Sequence, residues 1–337
     1  MKIFAIESSC DDTAVAVVQD GRKLLNHKVS SQINDHKIYG GVVPEVASRK
    51  HIENISPLVS AVINESNLKF TDLDAIAVTY APGLVGSLLV GVNFAKGLSL
   101  ATGLPLVPVH HIKAHIASLY LSNPDLKPPF LCLVVSGGHS YIIEVRDYTK
   151  FKVIGRTRDD AAGEAFDKIG RRLGFDYPGG VELDKAAEKG DPNSFKLPIP
   201  LKDEENTYDF SFSGLKTAMM NIINGFKQKN ESLPVYDLSA TFRQSVVNCL
   251  VNNFIRAAKD KKYSTLAIAG GVSANSLLRR RLNEEADVNN FNFYMPELKF
   301  CSDNAAMVGA QGYYEFLSGK RANMDLNACA SVDLEED

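Results

Sequence analysis

Cysteine is sparse and scattered. Five residues, Cys10, Cys132, Cys249, Cys301 and Cys329, lie in 337 positions, and no two form a C-x-x-C pair. An odd, dispersed set argues against a disulfide framework and a cysteine-based zinc site, and fits a reducing compartment. An excess of basic charge is also missing. Lys and Arg number 37 against 40 Asp and Glu, a net charge of −3, so nucleic acid is not drawn by a global field and RNA contacts would need local basic patches. No run of about 18 apolar residues stands out as a membrane span. Glu7 and Asp11 come too early for a signal peptide. A cytoplasmic chain with no membrane partner is the expectation. At 337 residues the chain exceeds one ordinary core, which predicts two domains.

What the chain does have is a histidine pair. The apolar run Leu106-Val107-Pro108-Val109 leads into His110-His111-Ile112-Lys113-Ala114-His115. A helix starting near His110 puts His111 and His115 on one face, one turn apart. His110 lies about 100° around that helix and is the poorer candidate. Two neutral imidazoles at this spacing can grip one divalent metal, or they can be ordinary core or surface histidines. As a metal site the pair is incomplete, and a further ligand must come from elsewhere.

Periodicity predicts an alternating α/β chain. Ile3–Ile6 and Ala14–Val18 read as strands of a hairpin around a polar turn, with a third strand over 23–29. A helix follows over 45–64, a strand over 73–79 and an apolar helix over 87–101. The Pro-rich stretch 122–129 is the best domain boundary. Beyond it the opening pattern recurs: strand Phe130–Val135, turn Ser136-Gly137-Gly138-His139-Ser140, strand Tyr141–Val145. Two such hairpins about 130 residues apart point to a duplicated domain pair. Helices are predicted over 160–173, 182–189, 213–229, 238–261, 274–286 and 305–318, with Ser213 and Ser273 as caps, and strands over 264–269 and 291–295. The polar end after Gly319, which finishes on Asp333, Glu335, Glu336 and Asp337, reads as loose.

Several turns can carry chemistry, each with an ordinary alternative. Ser136-Gly137-Gly138 is a phosphate cradle by composition, or a plain hairpin turn. The carboxylates of Glu7–Asp12 would repel a phosphate but can accept a proton or hold metal-bound water. Gly270-Gly271 at a helix start admits a nucleobase or phosphate, although it does not match G-x-G-x-x-G and so does not support a dinucleotide fold. Asp167 and Asp184 are the acids to watch. Asp303 opens a helix, either as its N-cap or as a hard oxygen ligand beside the histidines. Basic clusters at Arg156–Arg158, Lys168–Arg172 and Arg279–Arg281 are either solvated faces or an RNA footprint.

Taken together these stretches resemble one family. IESSCDDT at 6–13, GGVVPE at 40–45, PGLVGSLLVG at 82–91, HHIKAH at 110–115, VSGGH at 135–139, DDAAGEAFDK at 159–168, FSFSGLK at 210–216, GGVSAN at 270–275 and CSDN at 301–304 run in order. They resemble the TsaD tRNA N6-adenosine threonylcarbamoyltransferases, once labelled glycoproteases. The resemblance implies a two-lobed actin-like, sugar-kinase-like (ASKHA) fold with duplicated ribonuclease-H-like domains around a cleft. The N-terminal lobe would span 1–128 and the C-terminal lobe 129–303. A helix at about 304–320 would pack back on the first lobe, and 321–337 would be a loose tail.

The resemblance also implies a reaction: transfer of the threonylcarbamoyl group from threonylcarbamoyl-adenylate to N6 of adenosine 37 in tRNAs reading ANN codons, with release of AMP. His111, His115 and Asp303 would hold the family's metal, Fe(2+) before Zn(2+) or Mg(2+). That metal would bridge the lobes, because Asp303 lies beyond the second sheet. Val134, Val135, Ser136, Gly137 and Gly138 would bind the phosphate region, and Asp167, Gly180, Asp184 and Asn275 the ribose and base. Asp11 would deprotonate the attacking amine. A TsaB-like paralogue and a TsaE-like ATPase would be the partners. Ala81, Val181 and the acidic end depart from the family pattern, and the acidic end lacks the basic residues for tail contacts to tRNA. The competing activities are a small-molecule kinase on the same fold and a metallopeptidase. The second lacks its general base, since Ile112 follows His111 where H-E-x-x-H needs Glu.

Overall fold

The computed structural model describes residues 1–201, 204 and 206–335. The first stretch holds β1 (Lys2–Glu7), β2 (Asp12–Gln19), β3 (Lys23–Ser31), α1 (Ile33–Lys37), α2 (Pro44–Glu65), β4 (Ala75–Ala81), α3 (Val85–Thr102), β5 (Leu106–His110) and α4 (His111–Ser122). The middle holds β6 (Phe130–Val135), β7 (Ser140–Asp147), β8 (Lys150–Arg156), α5 (Ala162–Arg172), α6 (Gly179–Ala187) and α7 (Ser213–Gln228). The last holds α8 (Val235–Asp260), β9 (Thr265–Ala269), α9 (Ser276–Asn289), β10 (Asn292–Tyr294) and α10 (Ala305–Leu317).

The strands form two sheets, in the orders β3-β2-β1-β4-β5 and β10-β9-β6-β7-β8. Read from its other edge, the second sheet repeats the first. In the first, β1 is antiparallel to β2, with Ile6 opposite Val15, and parallel to β4, with Ile6 opposite Val78. In the second, β6 is parallel to β9, with Leu133 opposite Ile268. The repeated hairpin seen in the sequence is therefore the start of two sheets of one topology. Apolar runs without alternation make β1 and β6 central strands buried on both faces.

The chain divides into two compact units. Unit 1 comprises Met1–Pro129, Val145–Lys152 and Met295–Asp337, and unit 2 comprises Phe130–Glu144 and Val153–Tyr294. The boundary expected at 303 thus falls after Tyr294, and Asp303 belongs to the same unit as the two histidines. A metal at these three residues would sit inside unit 1 and would not bridge two lobes.

The sheet of unit 1 has unlike faces. One carries small side chains, among them Ala5, Ala14, Ala16, Ala75 and Ala77, and packs against α10. The other carries Phe4, Ile6, Val15, Val17, Ile76 and Val78 and packs against α2 and α3. The period-two alternation of a strand sorts small from large. On the small face α10 comes very close: a Cβ at Gly309 would lie 2.7 Å from Val18 Cγ2, and one at Gly312 only 2.5 Å from Ala77 Cβ.

Three expectations change here. The segment after α10 is held, not loose. Ala322 N–H donates to Leu106 O, Cys329 N–H to Tyr80 O and Gly83 N–H to Ala330 O, and Leu334 is buried. Main-chain groups do this holding, so the polar composition gave no sign of it. Glu336 and Asp337 of the acidic end lie outside the described residues. Secondly, α3 has the length and mean hydropathy (1.3) of a membrane span. Its Leu88, Val92 and Ala95 are core residues of unit 1. Thirdly, neither Ser213 nor Ser273 caps a helix. Asp159 Oδ1 accepts from Phe212 N and Ser213 N at the start of α7, and Asn275 caps α9.

Gly312→Ala should destabilise the protein by about 1–3 kcal/mol, because the added methyl overpacks a contact between helix and sheet backbone-side atoms. Urea unfolding with an unchanged m-value checks it.

Candidate metal centre

β1, the central strand of unit 1, delivers Glu7 and then turns sharply. The turn is clamped from two sides. Ser8 Oγ donates to Ser87 O at 2.9 Å, and Leu84 N–H to Ser9 O at 2.8 Å. Gly83 must be glycine for this approach, since a Cβ there would meet Ser9 O at 2.5 Å. On the other side, His51 Nε2 donates to Cys10 O (3.0 Å) while its Nδ1 accepts from Thr13 Oγ1 (2.8 Å). Burial lowers the pKa of His51, in keeping with this neutral role.

Directly after β5 the chain enters α4. His110 is its N-cap: Nδ1 accepts from Ile112 N at 3.2 Å, and Nε2 donates to Val332 O at 3.2 Å. Both ring nitrogens are thus engaged, and the off-face histidine is structural. His111 and His115 stand one turn apart with ring centroids 4.6 Å apart. Asp303 Oδ1 lies 3.6 Å from His111 Nε2 and 3.2 Å from His115 Nε2. One ligand atom from each of the three lies within 4.8 Å of the others. The N-cap of α10 is Asn304, whose side chain accepts from Met307 N at 2.9 Å. Asp303 is therefore not the cap and faces the histidines.

This donor set fits a divalent metal. Both ring nitrogens of His115 are buried and neither makes a hydrogen bond, Nε2 facing only the Asp303 carboxylate, an arrangement that costs free energy unless something coordinates the ring. Two imidazoles and one carboxylate suit a divalent first-row ion with coordination positions left over.

The site is crowded with acids. Glu7 is fully buried. Its Oε1 accepts from Ser9 N at 2.6 Å, its Oε2 from Thr79 Oγ1 at 2.6 Å, and His111 Nδ1 lies 3.3 Å from Oε2. Burial alone would raise the Glu7 pKa, but the facing His111 and the Thr79 hydroxyl outweigh it and hold the carboxyl below its usual range. Burial would likewise lower His111, but Asp303 and Glu7 push it up to about 9. Burial and then the Asp303 charge raise the pKa of Asp11. Asp12 is pushed up to about 7 by burial, against a hydrogen bond from Ser31, with the Asp303, Asp11 and Glu7 charges adding to the rise. The sequence offered the carboxylates of this turn as a group, Glu7 and Asp12 among them, without separating their roles. The only cue was an acid at each end of a polar turn between two apolar strands.

The remaining expected residues lie in unit 2 and form two groups. In the first, the turn after β6 closes with Ser136 N–H on His139 O (2.8 Å). Cβ atoms at Gly163 and Gly270 would meet Ser136 O (2.6 Å) and Val135 O (2.4 Å), so the start of α5 and the loop after β9 press on Val134–Gly138, while Gly137 and Gly138 face open space. In the second, Gly180 N–H donates to Asp167 Oδ1 at 2.7 Å. Asp184 accepts from Asn275 Nδ2 (3.0 Å), Ser276 N (3.0 Å) and the buried Arg243 Nη1 (2.8 Å). Arg243 was missed in the sequence, where it reads as one charge on an amphipathic helix. One residue of each basic cluster is ion-paired: Arg158 with Glu204 and Asp209, Lys168 with Asp160 and Glu164, and Arg281 with Glu284 and Glu285.

Two sheets of one strand order, each flanked by helices, define the actin-like, sugar-kinase-like class of α/β protein. Solved structures share the fold. The activator of 2-hydroxyisocaproyl-CoA dehydratase from Clostridium difficile, solved with bound ADPNP, aligns over 95% of this chain and 97% of its own at TM-score 0.53 and 12% identity. HypF of T. kodakarensis aligns over 94% of this chain and 48% of its own at TM-score 0.63 and 14% identity. The chain belongs to the TsaD family, described as tRNA N6-adenosine threonylcarbamoyltransferase, whose family model matches residues 23–310. A Clostridium botulinum (strain 657 / Type Ba4) protein of that name is 49% identical over 336 residues, covering 100% of this chain and 98% of the relative.

The raised pKa of His111 makes metal binding pH-dependent. Below about 9 the ring carries a proton that an incoming metal must displace. Affinity, measured by chelator competition, should rise about tenfold per pH unit from pH 7 and level off above pH 9. A flat profile would remove His111 from the ligand set.

Proposed function

We propose that this chain transfers the threonylcarbamoyl group of threonylcarbamoyl-adenylate to N6 of adenosine 37 in tRNAs that read ANN codons, releasing AMP. Membership of the TsaD family over residues 23–310 carries this reading. The histidine–histidine–aspartate group, its two histidines buried, beside two carboxyls of raised pKa supports it.

An exocyclic adenine amine is a weak nucleophile, and the acyl–phosphate anhydride is a strong electrophile. In the transfer, N6 bonds to the carbamoyl carbon, the carbon–oxygen bond to phosphate breaks, AMP leaves, and one N6 proton needs an acceptor. Asp11 takes that proton in this reading. Its raised pKa brings it nearer the working pH than an ordinary carboxylate. Asp12, at about 7, is the neighbouring store for the same proton.

His111, His115 and Asp303 would hold one Fe(2+), with Zn(2+) and Mg(2+) as the alternatives. Such an ion supplies Lewis-acid stabilisation of negative charge on phosphate and carbonyl oxygens. In unit 2, backbone N–H groups over Val134, Val135, Ser136, Gly137 and Gly138 are the phosphate cradle. The open space at Gly137 and Gly138 favours that role. Asp167, Gly180, Asp184 and Asn275 hold the ribose and base, and Arg243 fixes the Asp184 carboxylate. The chain works in the cytoplasm with a TsaB-like paralogue and a TsaE-like ATPase. A peptidase role is disfavoured, because Glu7, the buried acid at His111, faces Nδ1 and not the metal side of the ring.

Reconstitution with threonylcarbamoyl-adenylate, unmodified tRNA and the two partners, followed by nucleoside analysis, tests the activity. His111→Ala with His115→Ala should remove bound metal and transfer while leaving circular dichroism unchanged. Full transfer by that double mutant would sink the metal assignment. Asp11→Asn should keep adenylate binding and lower the transfer rate by about 10²–10⁴-fold.

A further inference from the structure

We propose that Glu7 is a positioning residue that fixes the tautomer and orientation of His111, so that Nε2 of that ring is the atom offered to the metal. The inference rests on the metal-site reading above and concerns how the site is made, not which ion fills it.

The observation is an asymmetry between the two histidines. Both rings are buried. His115 Nδ1 has no hydrogen-bond partner, and its Nε2 faces only Asp303 Oδ1 at 3.2 Å without making a hydrogen bond. His111 Nδ1, by contrast, faces Glu7 Oε2, which can only accept, at 3.3 Å and the Ser9 hydroxyl, which can accept or donate, at 3.1 Å. Its Nε2 points the other way, toward Asp303 Oδ1. A carboxylate can only accept, and the Ser9 N–H and Thr79 hydroxyl already donate to the two Glu7 oxygens. The proton of a neutral His111 therefore belongs on Nδ1, and the free lone pair on Nε2. A carboxylate hydrogen-bonded behind a ligating imidazole also raises its basicity as a ligand.

Glu7 can play this part because of where β1 ends. The residue pairs with Ala14 across the central hairpin, and Thr79 comes from β4, the other neighbour of β1. The carboxylate is thus held by two groups of one sheet, a turn N–H and a strand hydroxyl, and α4 brings His111 against it.

Glu7→Gln separates this idea from a merely structural one. Ser9 N–H can only donate, so the amide oxygen of the glutamine must stay on the Ser9 side. Its NH₂ then faces Thr79, whose hydroxyl can turn and accept, and His111 Nδ1; an amide donor there, with the Ser9 hydroxyl able to turn and donate as well, favours a ring that accepts at Nδ1. The imidazole proton is driven to Nε2, the metal-facing nitrogen. The variant should therefore bind Zn(2+) about 10–100-fold more weakly in chelator competition. Its thermal midpoint in chelator should fall, since removing one charge of a buried pair is destabilising, so the affinity is compared at a temperature where both proteins are folded. In the Zn(2+)-loaded wild type, ¹⁵N NMR of the histidine rings should show His111 coordinated through Nε2 with a protonated Nδ1.

Glu7→Gln that folds and binds Zn(2+) within about twofold of wild type would overturn the proposal, as would coordination of His111 through Nδ1. If Glu7→Gln does not fold, the wild-type NMR assignment decides alone. Failure of the wild type to bind Zn(2+), Fe(2+) or Mg(2+) at all would instead overturn the metal-site reading, which keeps the two failures apart.

Discussion

The candidate centre depends on how closely α10 can approach the first sheet. Asp303 precedes that helix, and the histidines it faces lie on α4, against which α10 packs. The distance is set by absence of bulk on both surfaces: alanines on one face of β1, β2 and β4, and Gly309 and Gly312 on the helix. Tight packing of small groups leaves no slack for a larger side chain. Two ligands from one helix and a third from a distant segment thereby meet within coordination distance of one another.

Electrostatics follow from that meeting. Glu7, Asp11, Asp12 and Asp303 all come near one point, and burial strengthens every repulsion among them. The molecule answers in graded fashion. Glu7 keeps its charge through the Ser9 and Thr79 donors and the facing His111. Asp11 and Asp12 lack enough such help, and their pKa values climb. One turn thus holds an acid locked in its ionised form, one raised above the usual carboxylate range and one at about 7, which is the division of labour an acid–base site needs.

Much of this was legible in the sequence, for identifiable reasons. The alternating α/β order and the repeated hairpin were carried by apolar runs and Gly-Pro punctuation, and both recur as two sheets of one order. The spacing of His111 and His115 is local, so a helical period was enough to pair them. Asp303 is far away in sequence, and its own surroundings offered an N-cap role equally well. Only the family resemblance chose between them, and the fold gives the cap to Asn304. Glu7 was invisible as a partner of His111 because burial and cross-strand neighbours are tertiary facts. Ser213 looked like a cap because the actual acceptor, Asp159, lies across a loop. The end after Gly319 looked loose because main-chain hydrogen bonds leave no trace in composition.

The three-segment make-up of unit 1 has a consequence for synthesis on the ribosome. Its first 129 residues emerge early, with the large-residue face of the sheet covered by α2 and α3. The alanine-lined face must wait for α10, which is not translated until the whole of unit 2 has been made. Throughout that interval the nascent chain presents an uncovered apolar sheet face, the kind of surface on which chaperones act and aggregation starts. The second unit can close first, and the unit that begins the chain is the last to be finished.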